Sequence, residues 1–355
     1  MFAVFVDLTY NFCNEVAVMW MLTILDIMTL QTSPASKRNP TIYILKCIAV
    51  VLITWSHMDE LVPISQICTG GAVGDGLFLF CSGFTLFMGR GGDFFNWYKR
   101  RVNRIYPSIL AWAVVSCLFF GTDRDIVSII LYGGGTFISA MMVFYTGLYF
   151  LRWVGIKRLA WFCGVYVLVL IGAYLMLLGS RDGIFIYHTT ETFTFMHYFL
   201  CMVLGAVVGA NSDRMTPSRF LPSFVCALGT CVIYYAFLYW CDHNEVVRKF
   251  QLISVIPMWF VLYFIYRMCS APELVRLYEK TWVRKPVYWI SAISLEVYLV
   301  QFVLFTDKYN HLFPVNVIVT FLVIFALSYI VKCLGTLILQ TFREENYDWK
   351  KIVSL

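Results

Sequence analysis

The chain has 355 residues, of which 60% are apolar and 18% aromatic against 14% charged. That is far more apolar surface than a water-soluble domain of this length can bury, so most of it must face lipid. The net charge of +6, from 27 Lys and Arg against 21 Asp and Glu, reports which loops lie in the cytoplasm and not an affinity for nucleic acid.

Residues 1–36 fit no simple pattern. Val16 to Leu30 is apolar but short, carries Asp26, and has no basic residue before it, so it lacks the leading charge of a secretory signal. Three readings stay open: an interfacial helix, an upstream extension with Met28 as the true start, or an extra span.

A spanning helix needs about 20 mainly apolar residues. Ten stretches qualify as candidates: Thr41–Trp55, Gly71–Phe87, Ile105–Phe120, Val127–Leu151, Leu159–Leu178, Phe193–Ala210, Phe220–Cys241, Leu252–Tyr266, Val287–Phe305 and Val315–Leu339. Gly133, Gly134 and Gly135 interrupt the fourth and mark a bend or re-entrant turn within what counts as one crossing. Lys and Arg gather in short cytoplasmic loops. If the first span starts inside, Lys37, Arg38, Arg90, Lys99 to Arg101, Arg104, Arg152, Lys157, Arg158, Lys280, Arg284, Lys285, Lys350 and Lys351 all fall on that side. Arg124, Arg181, Arg248, Lys249 and Lys308 fall outside, while Lys46 and Lys332 sit within spans near their inner ends. The expected fold is an all-α, polytopic transmembrane bundle of about ten spans. It is read as one membrane domain over residues 37–341, with a cytoplasmic tail at 342–355. The cysteines lie mostly in or beside spans, as small buried apolar residues do, and no pair has zinc-ligand spacing, so no metal site is expected.

Chemistry-bearing residues concentrate between Lys46 and Pro107. Lys46 and His57 are eleven residues apart, which on a helix is about three turns plus 20° and about 16.5 Å of rise, so both lie on one face. An intramembrane ionisable residue is a functional candidate because burial in lipid is costly. The plainer reading has Lys46 snorkelling inward and His57 ending a helix at the headgroups. Arg101 and Arg104 are three apart, so on a helix they project from one side and suit a multiply charged phosphate ligand. The positive-inside rule alone also accounts for basic residues there.

Taken together these residues resemble the membrane-bound acyltransferase-3 family of bacterial inner-membrane O-acyltransferases. Lys46 and His57 match an Arg and a His with ten residues between them in its first span. Leu77 to Phe84, ending Ser82-Gly83-Phe84, matches a Phe-rich run into Ser-Gly-Phe. Arg101, Arg104 and Pro107 match an Arg-x-x-Arg-x-x-Pro element, and Ile293 to Gln301 is similar to Ser-Phe-Glu-x-Tyr-Leu-x-His, with Glu296 as its carboxylate. Lys46 keeps the charge of the usual Arg but not its bidentate fork. Gln301 stands where His is common, and Asp75 is one position from the expected acidic residue, now Gly76.

The resemblance implies transfer of an acyl group, acetyl in the simplest case, from a cytosolic acyl-CoA to a hydroxyl of a cell-surface glycan or lipid-linked saccharide. Acetyl-CoA would be a donor substrate and not a bound cofactor. Arg101 and Arg104 would take the donor's phosphates and His57 would act as general base or carry the acyl group. Lys46 or Glu296 would tune the path, and Lys46 is one candidate partner for Glu296. Membrane lipids are expected partners, and a separate extracytoplasmic transferase is one if the chain does not acylate the acceptor directly. The alternative from another class is a transporter or flippase exporting a glycan or acylated metabolite, which would favour repeated halves. None is found in the sequence.

Overall fold

The computed structural model describes residues 39–354 except 88, 90, 122–127, 130–132, 155, 181–190 and 343–345, and leaves the side chains of 156–160, 177–180 and 191–194 undescribed. The expectations for residues 1–36, and for Arg90, Arg124 and Arg181, lie outside the described residues.

Among the described residues the fold is helical throughout, with no strand. The first helix, α1 (Pro40–Ser56), begins where Asn39 accepts a hydrogen bond from the Thr41 N–H and Pro40 occupies the first turn, which needs no donor there. It is followed by α2 (Gly71–Phe87) and α3 (Phe94–Phe120). Asp93 caps α3 through the Asn96 N–H, and Gly121, in the left-handed region at φ 64°, ends it. Then come α4 (Gly135–Val154), α5 (Ile156–Ser180), α6 (Glu191–Asn211), α7 (Phe220–His243) and α8 (Val255–Cys269). The short α9 (Pro272–Glu279) leads to α10 (Thr281–Ala292) and α11 (Ser294–Val300), and the array closes with α12 (Val315–Thr341) and α13 (Trp349–Val353).

Among the described residues six helices are long and apolar enough to cross a membrane, or seven if α10 and α11, bent by 56°, form one span. The chain is a multi-pass membrane protein. Ten crossings would require the three shorter apolar helices, Pro40–Ser56, Trp161–Met176 and Phe195–Asn211, to cross as well.

One sequence expectation changes on contact with the structure and another is met. The basic stretch before Pro107 is not a loop: Tyr98 to Pro107 forms the first half of α3, so Arg101 and Arg104 have fixed helical positions. The bend expected at the glycines is present as a turn at Gly133 and Gly134 followed by α4, and Gly135 takes a positive φ of 76° where that helix starts.

The site is positioned by two kinds of contact. In the first, α2 lies along α6 with almost no side chain between them. A Cβ on Gly83 would collide with the carbonyl of Met202, and one on Gly205 with the carbonyl of Phe80. Small residues allow this close approach in an apolar medium. Phe80 meets Gly205 and Phe84 meets Gly209, so the two helices run parallel, as they do if α3, α4 and α5 each cross once. By contrast, α1 and α2 are antiparallel, with Gly74 against Ile53 and Gly71 against Ser56. In the second kind of contact, the short α11 is wedged among α1, α3 and α12, and α12 packs along α3, where Gly335 meets the backbone at Ser108.

Gly83→Ala is expected to lower the melting temperature of the detergent-solubilised protein, by an amount corresponding to about 1–3 kcal/mol of overpacking. Gly164→Ala, at a position with nothing within 4 Å, should leave it unchanged or slightly raised. Equal melting temperatures for the two variants would contradict the close α2–α6 approach.

Candidate active site

The inner half of α1, α2, α3 and α4 brings three of the sequence elements together. Lys46 lies within electrostatic range of Arg104 and beside the Cys81 thiol. Tyr145 on α4 meets Ser82 through their hydroxyls and feels both Arg101 and Arg104. Arg101 lays its guanidinium over the fully buried Trp97, 5.1 Å from the ring centroid, a cation–π contact made geometrically available by the four-residue helical spacing. Among the described residues no carboxylate forms an ion pair with Lys46, Arg101 or Arg104.

This region also carries donors without acceptors. The Arg101 Nε, the Asn103 Nδ2 and the Trp97 Nε1 are buried and have no hydrogen-bond partner. A buried unsatisfied donor costs roughly 1–3 kcal/mol, more when it is charged. Those of Trp97 and Arg101 lie one turn apart on the face of α3 that also carries Arg104, where an anion with several oxygens would satisfy them, while Asn103 projects from the far side of the helix. The neighbouring basic residues do other work. Arg152 donates to the Gly89 carbonyl at 2.8 Å and Arg100 to that of Gly91 at 2.9 Å, pinning the turn after α2.

The fourth sequence element lies deeper in the same bundle. Glu296, on α11 and fully buried, accepts a 2.5 Å hydrogen bond from Ser108 Oγ and forms a 3.3 Å ion pair with Lys332 Nζ. Lys332 comes from α12 and Ser108 directly follows Pro107, so one carboxylate ties three helices. Its partner is therefore Lys332, and the pairing with Lys46 is not formed. The two lysines differ by position: Lys332 is on the helix packed against α11 and α3, whereas Lys46 faces the arginine pair.

His57 occupies the outer end of α1, one residue beyond the helix, and is joined to neither group. Its backbone N–H bonds the Thr54 carbonyl at 3.2 Å, and its ring meets Phe302 edge-on with centroids 4.9 Å apart. The surrounding loop is tied across the bundle, since Asn316 donates to the Leu61 carbonyl at 2.8 Å and Asn310 to that of Glu60 at 2.6 Å. Phe302 also walls a cavity of about 430 Å³ lined by Trp112, Gly133, Gly134, Gly135, Tyr298 and Leu299. On the face of α1 that joins Lys46 to His57 lie Val50, Ile53 and Thr54, which line a second, much smaller cavity. Asp75 is half-buried on α2 within electrostatic range of Cys201 on α6, away from both charge clusters.

Three residues escaped the sequence reading. Ser108 is polar but unremarkable in a span, and only contact with Glu296 gives it a role. Lys332 had been set aside as a cation near a helix end. His197 is fully buried on α6, its ring centroid 4.5 Å from that of Tyr198. The rule that flagged Lys46, that an ionisable residue inside a span is a candidate, would have found both Lys332 and His197.

A model of an acyltransferase domain, that of the acyltransferase-3 family, matches residues 39–334. No curated protein matches the chain significantly, and neither does any solved structure.

Removing one partner of a buried ion pair strands the other charge, at a cost of about 3–5 kcal/mol. Lys332→Met is therefore expected to destabilise the solubilised protein near the low end of that range, because Lys332 is partly exposed. Adding Glu296→Gln should restore most of the lost melting temperature. Additive losses in the double variant would show that the pair does not hold the helices.

Proposed function

Since the chain belongs to the acyltransferase-3 family, we propose that it moves an acyl group, acetyl in the simplest case, from a cytosolic acyl-CoA to a hydroxyl of a cell-surface glycan or its lipid-linked precursor, at a bacterial inner membrane. The observation that carries this reading is the group of unsatisfied donors and unpaired cations at the inner end of α3, Trp97 and Arg101 on the face that carries Arg104, with Lys46 beside Arg104. A CoA thioester presents phosphates of matching charge and geometry.

In this mechanism Arg101 and Arg104 grip the donor's phosphates, and Lys46 adds charge deeper in the mouth. The flexible pantetheine arm then follows the face of α1 toward His57, about 16.5 Å further along the helix. There the imidazole takes the proton from the acceptor hydroxyl as its oxygen attacks the thioester carbonyl, a role that typically contributes 10²–10⁴-fold. The cavity of about 430 Å³ beyond Phe302 is within the usual size of a small-ligand site, and its aromatic wall of Trp112, Tyr298 and Phe302 suits the apolar face of a sugar ring. Glu296 holds the scaffold of this path through Lys332 and Ser108.

Sidedness gives the test. Purified protein in oriented vesicles receives labelled acetyl-CoA on the side of the arginine pair and a glycan acceptor on the other. The expected result is free CoA on one side and label on the glycan. Passage of an intact substrate with no CoA released would replace this reading with a transporter. His57→Ala should abolish label transfer while the protein still inserts.

In the same assay Arg101→Gln with Arg104→Gln should raise the KM for acetyl-CoA at least tenfold and leave that for the acceptor nearly unchanged. An equal rise for both substrates would remove the arginines from donor recognition.

A further inference from the structure

Acyl transfer needs more than a base. As the acceptor oxygen bonds to the thioester carbonyl carbon, the carbonyl oxygen gains a full negative charge, and enzymes meet it with preorganised donors that have no other partner. Building on the transferase reading above, we propose that the Thr54 hydroxyl and the Gln301 side-chain amide form this oxyanion site.

Both residues are 0% exposed. Neither the Thr54 Oγ1 nor either polar atom of the Gln301 amide has a hydrogen-bond partner. That is unusual for each, because a helical threonine commonly bonds back to a carbonyl one turn earlier, as Thr230 and Thr336 do here. The two side chains line one small cavity, walled besides by Ser294 and by apolar and aromatic groups such as Val50, Phe78, Phe137 and Tyr298. Its free space is about 10 Å³, room for one water-sized atom. A single oxygen fits and an acyl chain does not.

The cavity also lies where the chemistry requires it. Thr54 is three residues before His57 on α1, about one helical turn, and Gln301 immediately precedes Phe302, whose ring touches that of His57. Base and donors therefore converge from two directions on one region. Low polarity around the donors strengthens each hydrogen bond and makes an unfilled one costly.

The step balances as follows. The acceptor O–H gives its proton to the His57 imidazole while its oxygen forms a bond to the carbonyl carbon, and the C=O electron pair moves onto the oxygen facing Thr54 and Gln301. Collapse reforms the C=O bond and breaks the C–S bond, and the departing CoA thiolate takes the proton from the imidazolium. Thr54 and Gln301 each donate one hydrogen bond throughout and are unchanged at the end.

The test uses the full-length protein in vesicles with acetyl-CoA and an acceptor. Gln301→Leu and Thr54→Val are close in volume to the native residues and remove only the donors, and Gln301→His returns one. Each removal is expected to lower kcat about 10²–10³-fold, with KM for both substrates nearly unchanged and the melting temperature unchanged or raised, because an unmet buried donor is removed, and Gln301→His should recover at least tenfold over Gln301→Leu. Folded Gln301→Leu and Thr54→Val variants with kcat within threefold of the unsubstituted protein would overturn the assignment. So would a loss that follows the fraction of folded protein, or a rise in KM with kcat intact. If the unsubstituted protein itself consumes no acyl-CoA with any acceptor, the transferase reading fails and this one falls with it.

Discussion

A carboxylate in an apolar medium must find a cation, and in this protein that requirement organises the bundle. Glu296 on a seven-residue helix reaches Lys332 on α12 and Ser108 on α3. Lipid supplies no hydrophobic force to press helices together, so polar contacts and close packing must set their registration. Fixing Ser108 fixes α3, and α3 carries Arg104 about one turn and Arg101 about two turns further in. Fixing α11 sets Gln301 and Phe302 at its outer end. One buried pair thus determines both where the inner mouth opens and what stands beside His57.

The other constraint is the α2–α6 contact at Gly83 and Gly205. It leaves the Ser82 side chain beside Tyr145 and, through Tyr145, near the arginine pair. The Ser-Gly-Phe run therefore does two jobs on adjacent residues, a hydroxyl for the polar cluster and a missing side chain for the helix crossing. Neither job is visible in the motif alone.

Much of the architecture was legible in the sequence because lipid imposes a simple rule on composition and length. Most helices begin and end within a few residues of the apolar stretches, the exceptions being the starts of α3, which extends back through the basic run, and of α4, delayed by the glycines, and the shared face of Lys46 and His57 follows from helical period. What was not legible depended on non-local partners. Nothing in the spacing of Glu296 distinguishes Lys332 from Lys46 as its partner, since both are lone cations near inner helix ends. The choice is made by α12 packing on α3, through Gly335 against Ser108. Thr54 carries no signal in one dimension and Gln301 only a departure from the family's usual His, because being unpaired is a property of the surroundings.

The inner mouth has a thermodynamic consequence of its own. Lys46, Arg101 and Arg104 repel one another in a poorly screening environment, and the donors around them go unmet. The unliganded protein consequently holds electrostatic tension at this end, released whenever a polyanion settles there. Ligand that binds only the folded form stabilises it by mass action, so the robustness of the whole bundle becomes tied to the anion content of the compartment that bathes this end. A region that looks like a recognition surface is equally a gauge, and the rigidity of the protein rises and falls with what fills it.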